Sequence, residues 1–204
     1  MTRIVIAFSA FALMTMHAYA QQPSQPAPQS QCGLTEATSP SVRGIRLGMS
    51  SENLVALFPG STKRRELRDA VDRVKSAGGG ETVRLSFDPA TDASGDSFAG
   101  VSSVSAGLHN GRVTDFTIGY VGPTWRNVDE WIAKLSESLT LPGARKWVVG
   151  PSETPNKVLT CNGIEIEAAI QGGGSSIRVR NTEQVKGGER GNPGEEKKRR
   201  EFKP

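Results

Sequence analysis

VSSVSAGLHNGRVTDFTIGYV, residues 101–121, is the stretch whose reading decides the fold. Two runs rich in β-branched and aromatic residues flank Asn110-Gly111, a dipeptide suited to reversing the chain. A two-residue turn there would set Leu108 opposite Val113 but Phe116 and Ile118 against Ser105 and Ser103, dividing the apolar set between two faces. A three-residue loop, His109-Asn110-Gly111 with Gly111 left-handed in a bulge, instead puts Val104 opposite Phe116 and brings Ala106 and Leu108 to the same face. The expectation is an antiparallel pair with one buried side.

Toward the N-terminus, Val83, Leu85 and Phe87 alternate with polar residues, so another half-buried strand precedes the pair. Asp88-Pro89 closes it, and a soft loop runs through Gly100. Before it lie two helical patterns. Ser50 is placed to cap a helix whose Leu54, Val55, Leu57 and Phe58 share a face, with Pro59-Gly60 as its stop. Residues 63–77 carry Leu67, Val71 and Val74 as a narrow stripe among charges, ended by Gly78-Gly79-Gly80. Residues 43–47 read as a short strand entering the first helix.

Toward the C-terminus, Asn127 and Glu130 form a capping pair, and Val128, Trp131, Ile132, Leu135 and Leu139 trace the clearest helical stripe in the chain. Leu141-Pro142-Gly143 ends that helix. Strands follow at 146–149, at 158–161 running on through 164–170, and at 176–180. The apolar pattern sets Ile170 near Ile177 and Ala168 near Val179, which places Glu167 opposite Arg180. The order predicts an α+β fold with helices on one face of an antiparallel sheet, in two α-then-β halves. Leu57-Phe58-Pro59-Gly60 and Thr140-Leu141-Pro142-Gly143 close the principal helix of each half.

The ends of the 204-residue chain differ from its middle. Arg3, the apolar run to Met14 and Ala18-Tyr19-Ala20 have the form of a secretory signal peptide over residues 1–20, with Ala18 and Ala20 as the cleavage signature. Residues 21–42 begin as a Pro/Gln-rich linker, 43–182 form the domain, and 183–204 are a charged tail too poor in apolar groups to fold. The expected location is the periplasm or the exterior, with no transmembrane anchor after processing. The pI near 9.3 comes mainly from the tail, since residues 186–204 hold seven Lys/Arg against four Asp/Glu. The domain between leader and tail is neutral, which argues against a nucleic-acid partner, although the tail is suited to touching anionic surfaces.

Chemical signatures are sparse. His17 lies in the leader, so His109, on the hairpin, is the single histidine left for proton transfer, and no G-x-S-x-G elbow accompanies it. Glu165 and Glu167 share a strand face, but Arg178 and Arg180 across the hairpin explain them as a compensated surface. The glycine runs at 78–80 and 172–174 lead into strands and do not open helices, so they do not cradle phosphate. No catalytic, cofactor or metal site is expected. Cys32 and Cys161 are the two cysteines, and in an exported chain such a pair favours a disulfide over free thiols. Trp125, beside Arg126 in the loop 122–126, has the composition of an interface hot spot.

Gly44-Ile45-Arg46-Leu47-Gly48-Met49-Ser50 followed by a short helix resembles the entry to small envelope domains of the SmpA/OmlA lipoprotein type and of the beta-lactamase inhibitor protein. The resemblance covers residues 43–60 and implies helices packed on an antiparallel sheet and a role in protein binding. The lipoprotein cysteine is missing here, and Gln21 follows the cleavage signature. The function expected is that of a non-enzymatic envelope module that binds another envelope protein or a peptide. An envelope hydrolase with a dispersed active site is the alternative.

Overall fold

The computed structural model describes residues 33–76 and 82–184. The leader with Ala18 and Ala20, the linker through Cys32, the glycines 78–80 and the tail from 185 onward lie outside the described residues. The architecture is α+β: one open, wholly antiparallel sheet of seven strands, in the order β1-β2-β3-β7-β6-β5-β4, with helical segments between strands. The strands are β1 (Thr82–Phe87), β2 (Val101–His109), β3 (Arg112–Val121), β4 (Val148–Val149), β5 (Asn156–Cys161), β6 (Ile164–Gln171) and β7 (Gly174–Asn181). The α-helices are α1 (Ser51–Ala56), α2 (Arg65–Ser76), α3 (Pro89–Asp92) and α4 (Val128–Leu139).

The central hairpin solves its phase problem differently from the sequence reading. Its turn has two residues, Asn110 and Gly111, both at positive φ (51° and 72°), and His109 pairs with Arg112. Leu108 therefore faces Val113. The extra residue appears further along β3: the register shifts between Gly107 and Leu108, Thr114 is left over, and Ala106 then faces Phe116 and Val104 faces Ile118. The bulge belongs in the strand because the left-handed Asn-Gly turn matches strand twist, while burial of Phe116 and Ile118 still demands a one-residue correction. Thr114 is buried and donates to the Gly107 carbonyl at 3.3 Å.

The second meander is corrected in the same sense. A two-residue turn, Asn162-Gly163, interrupts the run expected to continue from 158 to 170, so it forms two strands, β5 and β6. In the next hairpin Gly172 and Gly173 have positive φ, and Gln171 pairs with Gly174. This tight closure sets Ala168 opposite Ile177 and Glu167 opposite Arg178, two residues from the expected register, with the same residues on each face.

A buried row crosses the sheet as Leu85, Ala106, Phe116, Val179, Ile166 and Leu159. Leu54, Phe58, Leu67, Val74, Trp131, Ile132 and Leu135 from the helical segments join the same core. Phe58 stacks on Phe87 of β1 (centroids 4.3 Å apart) and leans on Phe98 (4.7 Å). The loop expected between 88 and 100 is thus built: Asp88 caps α3, and Asp92 is buried against Arg64 at 2.9 Å. Ser50 caps α1 by accepting from the Asn53 amide. Residues 43–47 form no strand but a tight turn in which Val42 and Ile45 exchange both backbone hydrogen bonds. Residues 146–149 shorten to β4 after a 3-10 turn.

Candidate functional site: an aromatic cleft with unmatched cations

Tyr120 is the last-but-one residue of β3, on the apolar side of the sheet, and Ser175 opposite it is the second residue of β7. Trp125 and Trp131 come from the loop after β3 and from the first turns of α4. The chain reverses at Gly122 (φ 48°), and Asn127 starts α4 by accepting from the Glu130 amide at 3.0 Å. Trp131 sits edge-on to Tyr120 and tilted against Trp125, both at 5.3 Å between centroids. Both indole N–H groups are spent inside the protein: Trp125 donates to Ser175 Oγ at 3.2 Å and Trp131 to the Ser176 carbonyl at 3.0 Å. What the two rings offer a ligand is therefore apolar surface.

These rings wall a cleft of about 480 Å³, closed at its other sides by Val42, Arg43, Ala99, Gly100, Leu135 and Leu139. Its size is that of a small-ligand or side-chain pocket. Two cations line it. Arg43 occupies the first position of the tight turn with φ 54°, followed by Gly44 at φ 84°. An arginine in the left-handed region is uncommon and costs roughly 1 kcal/mol relative to glycine there. The turn aims its guanidinium at two backbone carbonyls, Ser97 at 3.2 Å and Ala99 at 3.1 Å. Those carbonyls satisfy hydrogen bonds without cancelling the charge. Lys134, on α4, meets Glu137 at 3.1 Å, but both side chains are exposed. Such a pair is worth about 0.5 kcal/mol and leaves the ammonium free to move. No carboxylate lines the cleft among the described residues.

Burial pushes the Tyr120 phenol above its ordinary value, and the neighbouring Arg43 charge and hydrogen bond pull it partly back. Arg126, expected beside Trp125 as an interface residue, points elsewhere: it is exposed and paired with Glu130. The Arg126 amide, donating at 2.9 Å, and then its guanidinium hold the Glu130 carboxyl below the usual range. Glu130 thus caps the residue before Asn127, where the sequence reading had it return to Asn127 itself.

The opposite sheet face holds Glu165, Glu167 and His109. A polar row crosses it as Arg84, Gly107, Asp115, Arg180, Glu165 and Thr160, flanked by Ser105, Thr117, Arg178 and Glu167. Arg84 bonds Asp115, Arg180 bonds Glu165, and Arg178 reaches Asp115 at 3.9 Å. Asp115 is only 3% exposed. Gly107 makes that possible, since a Cβ there would occupy the place of the Asp115 carboxylate. His109 is the last residue of β2, with Nδ1 3.5 Å from Thr82 Oγ1, and no carboxylate bonds it among the described residues. Cys161 is buried at the end of β5, its Sγ 4.0 Å from the Leu34 carbonyl.

The sequence reading singled out Trp125 and missed Arg43, Lys134 and Ser175. Tyr120 was accessible, because it follows Phe116 and Ile118 at even spacing. Arg43 was legible only as a residue before Gly44 in a turn too short to resemble one. Fold and cleft together define a small antiparallel α+β domain with one concave aromatic surface. Comparison of the chain with protein-family models, curated proteins and solved structures finds no match.

Proposed function

We propose that this chain is a non-enzymatic binding module of the cell envelope, exported to the periplasm or beyond, which recognises another envelope protein or a peptide at the aromatic cleft. The observation that carries this reading is the cleft itself. Three aromatic rings with their indole donors already satisfied stand beside Arg43, held by neutral carbonyls, and Lys134, held only by an exposed pair with Glu137, a composition that fits recognition of an external group. The carboxylates of the opposite face, in contrast, are held in ion pairs, which fits a structural role for Glu165 and Glu167.

The fold reading that accompanies this is specific. Helices α1, α2 and α4 cover the apolar face, leaving the charged face open. The two α-then-β halves meet where β3 pairs with β7, so that the cleft lies at their junction, between the end of β3 and α4. The Cys32–Cys161 bridge fits the same picture, because Leu34, two residues from Cys32, already lies against Cys161. Closing a loop of about 130 residues would stabilise the fold by up to ~5 kcal/mol in the unfolded-chain entropy treatment. Thiol titration of the denatured chain is expected to find no reactive thiol until reductant is added.

Trp125→Ala tests the function. It removes one wall of the cleft and a half-buried ring, and affinity capture from envelope extract with the full chain as bait should lose its reproducible partner while the circular dichroism spectrum is kept. Capture unchanged by the substitution would refute the cleft as the binding surface.

A further inference from the structure

The hydrogen-bonding groups of the cleft are unbalanced in a way that specifies its ligand. Ser138 Oγ donates to the Lys134 carbonyl at 3.0 Å, so its proton is used within the protein. Ser175 Oγ accepts from Trp125 and retains its own proton. The Tyr120 oxygen already meets the Arg43 guanidinium, so the groups left to meet a ligand are chiefly donors: the Ser175 and Tyr120 hydroxyls, the Lys134 ammonium and the guanidinium protons of Arg43 not directed at Ser97, Ala99 and Tyr120. Facing them are apolar rings. A ligand that satisfies this surface brings acceptor oxygens with negative charge and an apolar body, joined closely enough for one cleft of about 480 Å³ to hold both.

Resting on the binding-module reading, we infer that the cleft takes a peptide segment presenting a large apolar or aromatic side chain next to a carboxylate, with the side chain against Trp125 and Trp131 and the carboxylate met by Arg43 and Lys134. A peptide fits better than a membrane surface because the two cations line a concavity and form no extended basic patch. Charge complementarity fixes the sign of the ligand, and the rings fix its body.

The test uses the purified full chain and an N-acetylated pentapeptide ending in phenylalanine with a free α-carboxylate, beside the same peptide amidated. Titration followed by tryptophan fluorescence should show the free acid binding at least tenfold more tightly than the amide, with the difference shrinking as salt is raised. Lys134→Glu, an exposed substitution on α4, should erase that preference, read as the ratio of free-acid to amide affinity in the same variant. Trp125→Ala should weaken both peptides. If Trp125→Ala weakens both but the acid and amide bind equally, the carboxylate assignment is overturned and the binding-module reading survives. If neither peptide binds, or if phosphatidylglycerol vesicles bind through Lys134 and the peptides do not, the assignment is overturned as well.

Discussion

The two faces of the sheet both carry arginines and use them differently. On the charged face Arg84, Arg178 and Arg180 interleave with Asp115 and Glu165, so that cations and carboxylates answer one another across the strands. In the cleft Arg43 and Lys134 stand among aromatic rings, and Arg43 is held by neutral carbonyls. A matched charge contributes to the fold, and removing its partner leaves a poorly solvated ion. An unmatched cation at the edge of an apolar cleft contributes little to the fold and retains its field for a ligand. On the proposed reading, the contrast separates structure from recognition by charge balance.

The largest disturbance of this contrast is expected from Gly107→Ala. The added Cβ displaces the Asp115 carboxylate from its place across β2, combining steric strain with the loss of the Arg84 pair. A destabilisation of about 3 kcal/mol is expected, read from denaturant unfolding, because overpacking and a broken buried pair both contribute. A change below about 0.5 kcal/mol would show that Asp115 finds another place at no cost.

A smaller and more local effect sharpens the other side of the comparison. Tyr120 and Tyr19 are the two tyrosines of the chain, and Tyr120→Phe identifies the signal from the first. Burial keeps the Tyr120 phenol protonated past its ordinary value near 10. The folded state therefore holds a proton that the unfolded state has lost, and this contribution to stability is present below about pH 10 and declines as pH rises above it. Absorbance at 295 nm should show Tyr120 titrating later in the native chain than in denaturant. A carboxylate ligand that offsets the charge of Arg43 should delay it further. Coincident native and denatured curves would contradict the buried setting of the phenol.

Much of this structure was legible in the sequence, and the misreadings share one cause. The helix from Val128 with its Asn127 cap, the face assignments of β1, β2, β3, β6 and β7 and the Arg–Glu pairing across the last hairpin follow from periodicity and capping chemistry. Register did not, at either hairpin. Asn110-Gly111 and Gly172-Gly173 close two-residue turns, and the apolar pattern fixes which face a residue occupies but is indifferent to a shift of two along the strand. The bulge at Thr114 is invisible to alternation because Val113, Thr114 and Asp115 are all buried. Trp125 was legible as part of the cleft by its loop position. Arg43 and Lys134 were not, since they are brought to it by a turn and a helix nearly a hundred residues apart, and no local pattern records that meeting.

The most direct test sets the two faces against each other in one experiment, with unfolding free energy and affinity for the free-acid peptide measured on Asp115→Asn and Lys134→Glu. Asp115→Asn should lose about 2 kcal/mol of stability, since Asp115 is buried while Arg84 is half exposed, and keep its affinity within twofold. Lys134→Glu should remain within about 0.5 kcal/mol of the parent stability and lose at least tenfold in affinity. Equal losses of affinity in the two variants, or a stability loss confined to Lys134→Glu, would contradict the division of labour between matched and unmatched charge.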